Sequence, residues 1–319
     1  MSTFLRVLAV LLVVTFCGAA LPVVVDAVTG DPVEPDPAAQ RPAYDAPPAR
    51  RPAPTLTARP RVSSTPTATP APRRTPSPAA SAPSAPSAPS ARSSDAGLPL
   101  AGVTVALDPG HQLGNRHFPS QVDAPVPAGG FDKPCNTTGT ATDAGVPEAT
   151  VTFELATAVR RRLVALGARV PMTRKTNSDA LWGPCVDARG EFGQRVGARL
   201  MLSLHADGGP ASGSGFHVIA PQARSPWTTD VAAPSLRLAT TLRAALVAAS
   251  FPRADYVAGG TGLDVRSDLG TLNLSDVPVA MVEIGNMRNR GDAARMISVT
   301  GQAAYADALV RGVRSYLRR

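Results

Sequence analysis

Aromatic side chains make up only 4% of this 319-residue chain. Lysine is nearly absent, since thirty of the thirty-two basic residues are arginine, and there are three cysteines. Each shortage excludes something. No basic run is interleaved with aromatics, the pattern a nucleic-acid track needs, so no nucleic-acid partner is expected. Neither Cys135 nor Cys185 sits in a Cys-x-x-Cys pair, which argues against a cysteine-held metal. Large apolar residues are almost missing from residues 28–97, where seventeen of the thirty-three prolines fall. Such a stretch cannot offset the entropy of ordering its backbone. A single compact fold of the whole chain is thereby ruled out, leaving one foldable unit of about 220 residues, enough for a sizeable core.

What is present divides the same way. Of the net +8, residues 28–97 carry +3 and residues 98–319 carry +5. A basic surface suits anionic lipid or an anionic wall polymer. At the N-terminus, Arg6 precedes an apolar run from Val7 that continues with few interruptions to Val25, followed by the small-residue exit Val25-Asp26-Ala27. A charged start, an apolar core and a small-residue exit read as a secretory signal peptide over residues 1–27. The alternative is an uncleaved anchor, because Phe4 to Val25 is long enough to span a bilayer, and only then is the membrane a partner. Bulky Phe16 directly before Cys17 argues against a lipoprotein signal.

Residues 28–97, with Ser-Ala-Pro repeated from Ser81 to Ser90, read as a disordered, extended spacer. Fully extended, it reaches ~200 Å at ~3.1 Å per residue. Export leaves Cys135 and Cys185 as an even pair in an oxidising compartment, so a disulfide is expected.

Residues 98–319 alternate between two periods. Strands are expected at 103–107, 169–172, 200–204, 216–219 and 279–282. Pro147-Glu148 opens a helix with Val151, Leu155, Val159, Leu163 and Leu166 on one face and Gly167 ending it. Further helices are expected over 186–198, 234–250 and 301–317. The pattern is α/β: a single domain with a twisted, mostly parallel central sheet and helices on both faces.

Residues able to do chemistry sit at element ends. Asp108-Pro109-Gly110-His111 follows the first strand, Glu148 starts the first helix, His205-Ala206-Asp207 follows the strand at 200–204, and Glu283-Ile284-Gly285-Asn286 follows the strand at 279–282. Ligands of open α/β sheets bind at the carboxyl ends of strands, so two histidines and two glutamates converge. Two imidazoles and one carboxylate are a common catalytic zinc set with an open fourth position, and a further carboxylate serves as general base.

In order and spacing, Leu107–His111, Glu148 at a helix start twenty-five residues before Thr173-Arg174, Ser203-Leu204-His205-Ala206-Asp207 and Val282-Glu283-Ile284-Gly285-Asn286 resemble the zinc-dependent N-acetylmuramoyl-L-alanine amidases of the amidase-3 family. Gly183–Asp187 and Ser203–Gly213 resemble its small mycobacterial members. The resemblance covers about residues 100–318. It implies one zinc ion held by His111, Glu148 and His205, with Glu283 as the catalytic carboxylate. It also implies peptidoglycan as substrate, cut at the amide joining the lactyl group of N-acetylmuramic acid to L-alanine. A non-catalytic wall-binding or regulatory protein on the same fold, or a zinc peptidase cutting within the stem peptide, is the alternative.

Residues 113–147 are an insertion relative to typical members, expected beside the zinc as a wall or lid pinned to Cys185. No tandem wall-binding repeat is recognisable. Asp108 is expected to orient His111 or to satisfy the turn's backbone. Arg266 and Asn286 are candidates for substrate contact, while His117, His217 and Glu154 are assigned no role at the metal. The expected product is an exported monomer working in periplasm or wall.

Overall fold

A computed structural model describes residues 97–318. The signal segment expected at 1–27 and nearly all of the spacer expected at 28–97 lie outside the described residues. The central sheet has five strands, β1 (Val105–Pro109), β4 (Leu200–Asp207), β5 (His217–Pro221), β6 (Leu263–Arg266) and β7 (Val279–Asn286), in the order β1-β4-β7-β5-β6. β1, β4 and β7 run parallel, whereas β5 is antiparallel to β7 and parallel to β6. The sheet is therefore mostly parallel, as the alternation of strands and helices predicts.

Strand periodicity sorts the side chains into two layers. Leu107, Leu200, Leu202, Leu204, Val218, Ala280 and Val282 face the larger core. Three long helices cover that side: α2 (Glu148–Ala165), α5 (Ala232–Ala248) and α8 (Val299–Leu317). Val151, Leu155, Val159 and Leu163 are buried along α2, and Leu238, Leu242 and Leu246 along α5. Ala106, Met201, Ile219, Val279 and Met281 point the other way, into a smaller core closed by Leu272 and bordered by Phe192. That side carries the short helices α3 (Val186–Gly190), α4 (Phe192–Arg195) and α6 (Gly270–Asn273). The same alternation places Asp108, Ser203, His205, His217 and Glu283 on the thinner side, where the cover stops short of the strand ends.

Several elements depart from the sequence reading. The strand expected at 169–172 makes only two isolated bridges to the first strand, at Arg169 and Met172. Pro171 lies between them, and its missing N–H interrupts the ladder. The helix expected over 186–198 is two short helices. A Cβ on Gly190 or Gly193 would come within 2.8 Å of Leu274 or 2.4 Å of Val277. The chain packs too tightly there to take side chains, and glycine lowers helix propensity in return. The insertion folds as the one-turn helix α1 (Pro119–Val122) and a small hairpin of β2 (Pro125–Pro127) and β3 (Asp132–Pro134). A helix α7 (Arg290–Ile297), capped by the Asn289 side chain, was not expected. Among the described residues no helix is long and apolar enough to cross a membrane.

Candidate metal centre

The first ligand stands where β1 ends. Gly110 donates its N–H to the Leu204 carbonyl at 2.8 Å, holding the turn against the next strand. A Cβ at Gly110 would lie 2.5 Å from the His205 ring, so only glycine lets the two histidines approach. His111 follows with φ of 57°, a left-handed conformation that costs a β-carbon-bearing residue energy and that surrounding bonds must enforce.

Two buried arginines do so. Arg189 donates to the carbonyls of Pro109 at 2.8 Å and His111 at 2.7 Å. Arg174 donates to those of Pro109 and Gly110, each at 3.1 Å. Burial and repulsion from Arg189 bring the Arg174 guanidinium down to about 9, against the pull of Asp108 and Glu148, which leaves it charged at neutral pH. No periodicity in the sequence marks either arginine, since the turn carbonyls they hold lie 64 to 80 residues away.

Asp108 is fully buried and accepts from Arg189 at 2.5 Å, Thr173 at 2.6 Å and Ser203 at 2.7 Å. Burial opposes its ionisation, but Arg189, Thr173, His205 and Ser203 together hold its carboxyl below the usual range. Of the two roles expected of Asp108, holding the turn's backbone agrees with its anchoring of Arg189, whereas the His111 ring is held elsewhere. His111 Nδ1 lies 3.0 Å from the Thr137 carbonyl. A carbonyl only accepts, so Nδ1 carries the proton and Nε2 keeps its lone pair for a metal.

Glu148 is the first residue of α2 and is 3% exposed. Its Oε2 lies 3.2 Å from His111 Nε2, and its Oε1 lies 3.0 Å from His205 Nδ1. The amides of Thr140 and Ala206 donate to its two oxygens, each at 3.0 Å. Burial works against the carboxylate, yet His111 and His205 hold it well below the usual range. The two imidazoles meet edge to face at 83° with centroids 4.9 Å apart. One donor atom from each of His111, Glu148 and His205 lies within 4.8 Å of the other two. Two imidazoles and one carboxylate, one ring oriented by a backbone carbonyl, fit a catalytic zinc with one coordination position left for substrate or water.

Glu283 stands across from His205 in the sheet register and lines the same cleft of about 210 Å³. Its Oε2 is buried without a hydrogen-bond partner. Burial, then the charges of Glu148 and Asp207, push its carboxyl well above the usual range, with Arg266 opposing. The insertion supplies one wall of the cleft through Lys133, Pro134, Asn136 and Thr137. Its far end packs so closely that a Cβ at Gly139, where φ is 76°, would lie 2.7 Å from Glu148. Cys135 and Cys185 form the expected disulfide. The Asn136 side chain adds a bond to the Pro184 carbonyl at 2.7 Å.

The two substrate candidates fare differently. Arg266 is half-exposed and pairs with Asp268 at 2.9 and 2.8 Å, close enough to influence Glu283. Asn286 is corrected: it is fully buried and its amide is spent on the carbonyls of Pro210 at 2.7 Å and Gly213 at 2.8 Å. It shapes the loop after β4 and does not face the cleft. His117 and Glu154 are exposed and outside the cluster. His217, which is buried, completes the cross-strand row His205–Glu283–His217. Tyr256 was missed altogether. It packs under Gly209 and Gly213, and burial together with Asp207 raises its hydroxyl pKa.

Residues 105–315 match the Amidase_3 family, described as N-acetylmuramoyl-L-alanine amidase. The chain belongs to the Amidase_3 family. Over 219 residues this amidase is 44% identical to the N-acetylmuramoyl-L-alanine amidase Rv3717 of Mycobacterium tuberculosis, covering 68% of the present chain and 88% of that protein. It superposes on the crystal structure of Ami1 from Mycobacterium smegmatis with a TM-score of 0.64 at 41% identity, covering 69% of this chain and 98% of that one. Apo Ami1 from Mycobacterium abscessus gives 0.63 at 44% identity over 68% and 99%. The matched stretch is nearly the whole of both crystallised chains, so in those relatives it stands as a folded unit. As a family member the amidase is a hydrolase of peptidoglycan, with a His-Glu-His metal-binding triad and a disulfide that accord with a place outside the cytoplasm.

Proposed function

We propose that the amidase carries one zinc ion on His111, Glu148 and His205 and uses Glu283 to move the proton that amide cleavage requires. Bound there, zinc supplies a Lewis acid for the scissile carbonyl and a lowered pKa for water. The chain's own residues supply the rest. The Thr137 carbonyl and the Thr140 and Ala206 amides fix the ligands in place. The observation that carries the proposal is Glu283: its Oε2 is buried and unpartnered beside His205 in the cleft. A carboxyl whose proton affinity burial has raised is suited to take a proton from the attacking water and hand it to the departing nitrogen of L-alanine. Breaking the carbon–nitrogen bond leaves a lactyl carboxylate on the sugar and a stem peptide beginning in L-alanine.

Arg266, half-exposed and now paired with Asp268, is the residue we propose to meet a stem carboxylate, which would take over that pairing. One chain contributes every residue of the site, which supports action as a monomer. The apolar segment at 1–27 and the disulfide together support export to the periplasm or wall.

Glu283→Gln removes the proton carrier and keeps the shape. Hydrolysis of a muropeptide, followed by mass spectrometry of its products, is expected to fall ~10²–10⁴-fold while zinc content stays at one per chain. Unchanged turnover would sink the assignment, and products cut within the stem would make the protein a peptidase. His205→Ala is expected to lose zinc and turnover together.

A further inference from the structure

The pole opposite the cleft carries a different chemistry. Arg199 precedes β4 and Pro278 precedes β7, so both lie at the N-terminal ends of strands whose C-terminal halves hold His205 and Glu283. Arg199 and His205 are six residues apart along the strand, about 20 Å at ~3.3 Å per residue. At this pole Arg199, Arg237 and Tyr316 line a cavity of about 470 Å³. Arg199 also borders a second cavity of about 110 Å³ with Arg314 and Arg318. Those two, with Arg311, line a third of about 310 Å³. Shared walls make the three one trough.

The trough is uncompensated. Among the described residues, Arg199, Arg237, Arg311, Arg314 and Arg318 form no ion pair. Five such charges equal the whole net charge of residues 98–319. Guanidinium groups in number, without carboxylates of their own, bind anions with paired oxygens, phosphate among them. Pro99, Leu100, Val103 and Leu317 line the same trough, Pro99 and Leu100 where the chain joins the domain from its N-terminal side. Arginines rimmed by apolar side chains match the boundary of a bilayer better than a fully hydrated polymer.

We propose that this arginine trough seats the domain on anionic phospholipid head groups. Seated so, the cleft faces away from the bilayer, toward the wall that contains its substrate. The contact needs neither Glu283 nor the metal, so it stands or falls separately from the catalytic reading.

The test uses residues 97–319 in sedimentation with phosphatidylcholine vesicles, with and without phosphatidylglycerol. Binding is expected only with phosphatidylglycerol and is expected to be lost at high salt. The variant Arg199→Glu/Arg237→Glu/Arg318→Glu is expected to weaken that binding roughly hundredfold. Its hydrolysis of a soluble muropeptide should stay within about twofold, which shows that it is folded. A control variant reverses three exposed arginines elsewhere, Arg161→Glu/Arg253→Glu/Arg290→Glu. Equal loss in the control would reduce the effect to diffuse charge and overturn the site. Full binding by the trough variant would overturn it too. Binding of a soluble phosphate-bearing wall polymer without vesicle binding would overturn the membrane as occupant.

Discussion

At the scale of single residues, the ligands were legible and their supports were not. His111 and Glu148 sit at element ends, whereas His205 and Glu283 lie within the C-terminal halves of β4 and β7, where period-2 alternation turns both to one side of the sheet. Asp108 was legible as a buried acid near the site, but its partner Arg189 lies 81 residues on, beyond any local pattern. Asp108→Asn leaves Arg189 buried without its counter-charge. Breaking a buried pair from one side costs about 3–5 kcal/mol, so the urea midpoint should fall accordingly. The acid dependence follows in sign. The folded-state pKa of Asp108 is depressed, so its stabilisation is complete above the unfolded value of ~3.9 and is lost as pH falls from there through the folded value. The gap between wild type and Asp108→Asn is therefore expected to be widest near neutral pH and to narrow in acid. Gly110→Ala drives a methyl into the His205 ring. Zinc content, read by atomic absorption, should drop with activity.

At the scale of elements, the long helices were legible because apolar residues recur at helical spacing over four turns or more. The short ones were not. A four- or five-residue helix shows too little of its period, and Gly190 and Gly193 are dictated by contacts with Leu274 and Val277 that no local window contains. The insertion had no readable period for the same reason, since its strands are three residues each. What was legible there was the cysteine pair. The bond closes a fifty-residue separation, for which chain entropy gives ~4 kcal/mol. The double variant Cys135→Ser/Cys185→Ser is expected to lose about that much in denaturant titration. Thiol labelling of the unfolded, non-reduced protein should find neither cysteine free.

At the scale of the whole molecule, the sheet gives the domain two unlike ends: one gathers acids and imidazoles around a cleft, the other arginines around a trough. The fold class was legible, because the alternation of strand and helix periods admits few architectures. The antiparallel turn of β5 was not, because strand direction depends on connections the pattern does not record. Metal coupling belongs to this scale. A ligand held only by the folded chain adds RT ln(1 + [L]/Kd), about 2.7 kcal/mol at a hundredfold excess over Kd. A chelator is expected to lower Tm by several degrees, and zinc, added back, to restore it.

The insertion touches the metal cluster at two points, the Thr137 carbonyl on His111 and the Thr140 amide on Glu148. The stretch before Cys135 reaches the cage one step removed: Asn115 donates to the same Thr137 carbonyl at 2.7 Å, and Lys133 and Pro134 line the cleft. Residues 137–140 behave as part of the cage itself, so a change of even one residue in length there would cost the enzyme its metal.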